Sequence, residues 1–210
     1  MEPEDKVIYL TFDDGPSGNT EHLLDILDRY GVKATWFVTN THPDYTYLIS
    51  EMARRGHTVA IHSASHDYGL IYSGEEAFFA DLKEMQDVIY AETGARPRLL
   101  RFPGGSSNTV SWRNKGIMTR LTECLGDMGY LYFDWNVSAA DTAPDANYTT
   151  VVRNVTEGCA AHPWSVVLQH DTNGFSVNAV PAIIEWGQRN GYIFLPLDEH
   201  SPTAHHTIAN

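Results

Sequence analysis

Apolar residues recur along this chain in two alternating rhythms. Short runs rich in β-branched and aromatic residues, bounded by turn formers, predict buried strands at 6–12, 34–39, 58–62, 99–102, 130–135, 165–170 and 192–196. Between them, apolar residues fall at helical spacing. Asn19 or Thr20 can cap a helix through Tyr30, with Leu23, Leu24 and Leu27 on one stripe and Gly31 as its stop. Further helices are expected at 45–55 (ended by Gly56), 116–128, 148–158 and 178–190. Another runs from a capping box at Ser73-Gly74-Glu75-Glu76 to about residue 92, turning Phe78, Leu82, Met85 and Ile89 inward.

Strands that are apolar throughout, alternating with helices, imply a parallel sheet whose outer face is covered by helices. About seven such units fit a closed or nearly closed (β/α) barrel, with an open doubly wound sheet as the alternative. No strand–turn–helix junction carries Gly-x-Gly-x-x-Gly or a phosphate-loop lysine, so nucleotide binding has no support. A single domain over 1–198 holds these elements, and 199–210, with His200, His205 and His206, is expected to be a mobile tail.

Composition sharpens this picture. A length of 210 residues with 42% hydrophobic content suits one large core. The net charge of −13 argues against nucleic acid or an anionic membrane as a partner. No apolar run is long enough for a membrane span. The charged opening Met1-Glu2-Pro3-Glu4-Asp5-Lys6 lacks a signal-peptide pattern, as expected of a cytoplasmic protein or a domain trimmed from a longer chain. Cys124 and Cys159 form no metal-ligand pattern, and a disulfide and free thiols are both open.

The chemistry-bearing residues sit where strands end. Asp13-Asp14 follows the first strand and is cut off by Gly15-Pro16; two adjacent carboxylates there need a cation to share. His62, Arg101, Asp134-Trp135 and His170 end later strands, and His66 follows in the loop after His62. In a parallel barrel all of these reach one rim, the face where such folds build their sites. With one aspartate, His62 and His66 make a His-His-carboxylate set that leaves positions open for water and substrate; zinc, ferrous iron and cobalt all suit it. Water on such an ion becomes a nucleophile near neutral pH, which makes acyl hydrolysis the natural reaction.

From Val7 to Pro196, Thr-Phe-Asp-Asp-Gly-Pro, His62-Ser-Ala-Ser-His66, Arg101-Phe-Pro-Gly-Gly, Asp134-Trp135 and Leu168-Gln-His170 occur in the order found in the NodB-homology polysaccharide deacetylases, carbohydrate esterase family four, which this sequence resembles. The resemblance implies a distorted (β/α) barrel of about seven parallel strands. It implies Asp13 as the general base, Arg101 as its partner, and Asp14, His62 and His66 as ligands of one divalent ion, zinc by preference and cobalt or another as alternatives. His170 would be the general acid, and Leu168 and Trp135 would wall the acetyl pocket. Asp134 is expected to hydrogen-bond His170, with Asp141 as the second candidate. Gly104 stands where the family commonly has an aromatic residue whose N–H serves the oxyanion; the N–H survives, but a flat sugar-packing surface is lost there.

The expected substrate is an acetylated polysaccharide. The third motif is most like that of Gram-positive cell-wall deacetylases, which favours N-acetylglucosamine in peptidoglycan over chitooligosaccharides or acetylxylan. That substrate implies action outside the cell or at its surface. A ferrous oxygenase would share the ligand set but has no use for Asp13, Arg101 and His170 as an acid–base group. A non-catalytic glycan-binding module would not need them either. Oligomeric state is not legible.

Overall fold

The computed structural model describes residues 6–210; residues 1–5, the charged lead-in to the first strand, lie outside the described residues. Among the described residues, eight strands form one sheet: β1 (Val7–Asp13), β2 (Thr35–Thr39), β3 (Thr58–Ser63), β4 (Leu99–Leu100), β5 (Leu131–Tyr132), β6 (Val137–Ser138), β7 (Trp164–His170) and β8 (Ile193–Phe194). Seven follow the order β5-β4-β3-β2-β1-β7-β6, β8 pairs with β1, and every pairing is parallel. β7 runs along the whole of β1, from Val7–Trp164 to Asp13–His170. The other edge of β1 is divided: Thr11–Asp13 pair with β2, and Val7–Ile8 pair with β8. The result is a distorted (β/α) barrel, open between β5 and β6.

Helices α1 (Thr20–Tyr30), α2 (Leu48–Arg54), α3 (Tyr68–Ile71), α4 (Glu75–Thr93), α5 (Ile117–Asp127), α6 (Tyr148–Ala160) and α7 (Gly174–Arg189) connect the strands. The period-two geometry of a strand explains why β1 looks uniformly apolar. Ile8, Leu10 and Phe12 face the helix-side core, while Val7 and Tyr9 join Phe37, Ala60, Phe133, Val166 and Leu197 inside the barrel. Thr11 and Asp13 continue the inward row. The first strand therefore delivers one acid to the rim from an otherwise apolar interior. None of the helices among the described residues is long and apolar enough to cross a membrane, and Cys124 and Cys159 are free thiols.

Several elements depart from expectation for local reasons. The expected capping box at Ser73 does not form: α4 starts after Gly74 with no side-chain cap, and the Ser73 hydroxyl donates back to Leu70 O. A capping box does form at α6, where Asn147 accepts from the Thr149 and Thr150 N–H groups and Thr150 Oγ1 accepts from Asn147 N–H. The strand expected over 130–135 stops at Tyr132 and pairing resumes at Val137. Between them the Asn136 amide replaces the ladder, accepting from Val166 N–H at 2.7 Å and donating to Trp164 O at 3.0 Å. α7 begins at Gly174 rather than 178 and holds Pro181 in its interior. The terminal segment, expected to be mobile, has contacts along the open side of the barrel. His205 Nε2 lies 2.9 Å from Tyr132 O with the two rings stacked, and Asn210 Nδ2 donates to Ser111 and Asn114.

Gly187 on α7 offers a test of this packing. A Cβ there would meet the Phe194 ring at 2.5 Å and Ile8 Cδ1 at 3.3 Å. Helix propensity alone favours Gly→Ala by about 1 kcal/mol, whereas overpacking a fixed core costs about 1–3 kcal/mol. Gly187→Ala is therefore expected to lower unfolding stability in a denaturant titration. A stabilised variant would show that β8 yields freely.

Candidate metal centre and catalytic cavity

The barrel interior is organised by a buried charge. Arg101, just past β4, is fully buried, with Phe37 4.2 Å from its guanidinium carbon. Its Nε donates to Phe133 O at 3.0 Å and Nη2 to Asp134 O at 2.9 Å. Nη1 donates to Thr11 Oγ1 at 2.6 Å and to Asp13 Oδ1 at 2.8 Å. Thr11 in turn donates to Val167 O. One carboxylate oxygen of Asp13 is thus held rigidly while Oδ2 faces the cavity side, 3.8 Å from His62 Nε2.

The next residue turns sharply. Asp14 has φ 69° and His66 φ 52°, the left-handed region that Asp and His enter more readily than most residues. These turns bring Asp14 Oδ1 within 3.5 Å of His62 Nε2 and 3.3 Å of His66 Nε2. Ligand atoms about 2.0–2.1 Å from a tetrahedral ion stand roughly 3.3 Å apart, which is close to the spacing of Asp14 Oδ1 from each imidazole nitrogen. Asp14 Oδ1 is also buried without a hydrogen-bond partner among the described residues. An orphaned carboxylate oxygen between two imidazole nitrogens fits a divalent cation, and these three residues would hold it. His62 is prepared for that role: its Nδ1 is 2.8 Å from Arg101 O, which fixes the ring, and burial holds its pKa below the ordinary value, favouring the neutral, ligating form.

His170 ends β7, with Nε2 3.9 Å from Asp14 Oδ2. The structure corrects its expected partner. Asp134 is fully buried and turned toward the loop after β4, accepting from Ser106 N–H, Ser106 Oγ and His206 N–H at 2.5–2.9 Å. Asp141 takes the role instead: Oδ1 lies 2.8 Å from His170 Nδ1, and Oδ2 accepts the His170 N–H and the Ser176 hydroxyl. Burial pulls the imidazole down. The hydrogen bond and charge of Asp141, helped by Asp13 and Asp14, outweigh it and raise the pKa of His170 to about 9.

These groups open onto a cavity of about 430 Å³ whose wall includes Tyr68, Gly104, Trp135 and Leu168. Gly104 leaves no bare rim. A Cβ there would meet Asn108 Cβ at 3.2 Å and lie 3.8–3.9 Å from the Tyr68 ring and hydroxyl, so the aromatic that opens α3 occupies the adjoining space. Gly105 is needed for a different reason: a Cβ would strike the Trp135 ring at 2.8 Å, in a residue already at φ 79°.

Two supporting residues were missed. Asp81 on α4 accepts from Ser63 Oγ, Ala64 N–H and Ser65 N–H at 2.6–3.0 Å and so shapes the turn that carries His66. Its signal was legible, a carboxylate on the apolar stripe between Phe78 and Met85. Asp171 accepts from Thr20 and the Trp36 indole and fills the space a Cβ on Gly15 would need, at 2.2 Å. Burial raises its pKa to about 6.

A half-open parallel barrel carries on its rim three residues that could hold a metal ion, and the comparisons give the family. The chain belongs to the polysaccharide deacetylase family, whose profile matches residues 1–116. It is 33% identical over 204 residues to a peptidoglycan-N-acetylglucosamine deacetylase of Bacillus cereus, covering 94% of this chain and 71% of that protein. The crystal structure of the catalytic domain of peptidoglycan N-acetylglucosamine deacetylase from Eubacterium rectale superposes with a TM-score of 0.98 at 57% identity, covering 100% of this chain and 96% of that one. A Bacillus cereus polysaccharide deacetylase superposes at 0.83 with 32% identity, covering 95% and 96%.

Two measurements test the site. His66→Ala should weaken zinc binding, read by calorimetry, by more than the roughly 10–100-fold that loss of an outer hydrogen-bond partner costs. Unchanged affinity would refute the ligand set. In metal-free protein, an NMR titration of His170 should show its pKa fall from about 9 toward 6.5 in Asp141→Asn, because the imidazolium loses its counter-charge. Asp134→Asn should leave that titration in place.

Proposed function

We propose that this chain is a metal-dependent deacetylase that hydrolyses the N-acetyl group of N-acetylglucosamine residues in peptidoglycan, outside the cell or at its surface. The observation that carries the reading is the disposition of Asp13 and His170. One is an acid held by an arginine, the other an imidazole held by a carboxylate, and both stand beside the Asp14, His62 and His66 cluster.

A divalent ion held by that cluster, zinc by preference, supplies Lewis acidity for the acetyl carbonyl and lowers the pKa of water. The rest falls to the protein. Asp13 Oδ2, the oxygen not tied to Arg101, takes the proton from the attacking water. With Nδ1–H committed to Asp141, His170 presents Nε2–H to the departing nitrogen and protonates it as the C–N bond breaks. The products are acetate and a free amine. Leu168 and Trp135 bound the space for the acetyl methyl, and the Gly104 N–H is the backbone donor offered to the oxyanion. The peptidoglycan assignment draws on the substrates in the names of the relatives above; chitooligosaccharides and acetylxylan are the competing targets.

Asp13→Asn is expected to cut kcat by about 10²–10⁴-fold while metal content stays full, since Asp14 is the ligand. A loss under tenfold would remove Asp13 from the base role. Acetate release should require metal and should appear with peptidoglycan or N-acetylglucosamine oligomers. Release from acetylxylan alone would overturn the substrate while leaving the acid–base assignment in place.

A further inference from the structure

Tyr68 stands in the wall of two cavities. One is the catalytic cavity. The other, of about 160 Å³, is lined as well by Tyr72, Ser73, Val110 and Arg113. Nothing in the mechanism uses it.

The loop on its far wall is firmly built. Asn108 Nδ2 donates to Gly105 O at 2.8 Å and Asn108 Oδ1 accepts the Ser111 N–H. Asn114 Nδ2 reaches across to Ser73 O at 3.0 Å. On this frame sit two side chains that the fold does not use. Trp112 is 68% exposed, the most exposed of the large apolar residues described. Arg113 makes no hydrogen bond or ion pair among the described residues; its guanidinium carbon lies 5.3 Å from the Trp112 ring centre. An unpaired arginine lining a cavity beside the active site is notable in a chain of net charge −13, whose overall field repels anions. A guanidinium is the group best shaped to take a carboxylate through paired hydrogen bonds, and an indole face offers an apolar plane for the C–H face of a pyranose.

We propose that Tyr68, Trp112 and Arg113 form a flanking sugar subsite that takes a carboxylate-bearing residue of the glycan next to the sugar being deacetylated. This rests on the reading of the chain as a glycan deacetylase and deepens it. Neutral neighbours give Arg113 nothing to pair with. A glycan carrying lactyl groups or peptides does.

The test compares acetate release from three substrates. They are neutral chitotetraose, glycan strands stripped of peptide so that the lactyl carboxylate is free, and strands still carrying peptides. Arg113→Gln should raise KM for carboxylate-bearing strands about fivefold, the scale of a partly exposed ion pair, with kcat and chitotetraose kinetics unchanged. An effect on stripped strands identifies the lactyl carboxylate, and an effect on peptide-bearing strands alone identifies the peptide. Trp112→Ala should raise KM on all three. Arg113→Gln that changes all three equally, or none, overturns the subsite. If the wild type releases acetate from none of them, the functional reading has failed. Calorimetric binding of a stripped tetrasaccharide then decides the subsite by itself: binding lost in Arg113→Gln supports it, and binding equal to wild type overturns it.

Discussion

The buried guanidinium of Arg101 is the constraint around which the barrel and its site are arranged. A charge removed from water is tolerated only when its donors find acceptors and its charge a partner. Asp13 alone supplies the charge, while Thr11, Phe133 O and Asp134 O take the other hydrogen bonds. The arginine therefore joins the first strand to the chain beyond the fifth, and its own carbonyl sets the ring of His62. Removing it would leave an uncompensated carboxylate in the interior and unfix a ligand in the same stroke.

The two halves of the candidate site are held by different physics. Around the candidate metal site the control is backbone shape: left-handed turns at Asp14 and His66, the latter braced by Asp81. Around His170 the control is charge, with Asp141 buried beneath the imidazole and anchored by Ser176. In both cases a buried carboxylate fixes a histidine that lines the cavity.

How much of this was legible depended on the range of the interaction. Strand and helix alternation is written in local periodicity, so the parallel barrel and its rim could be read from the chain. Asp13, Asp14, His62, His66, Arg101 and His170 end strands or follow them, and the structure brings all six together. What failed was anything decided across space. Ser73 has the residues of a capping box, but its hydroxyl finds Leu70 O first. Asp134 and Asp141 both follow short strands near the rim, and only their partners in space, Ser106 for one and His170 for the other, tell them apart. Gly104 suggested a missing wall because its neighbour in space, Tyr68, comes from a distant part of the chain, the start of α3.

The pairing of β1 has a consequence for how the protein forms. This strand, the first in the chain, is central in the sheet, and its longest partner is β7, more than 150 residues later. Contacts of such sequence separation close slowly, and an apolar strand waiting for its partner is exposed to misassociation. β2 and β3 can pair with it earlier, so Asp13, Asp14, His62 and His66 belong to a unit available from the first third of the chain. Asp141 follows β6, and His170 arrives only with β7. A nascent chain can thus bring together the residues of the proposed metal cluster well before it holds the histidine proposed as the acid.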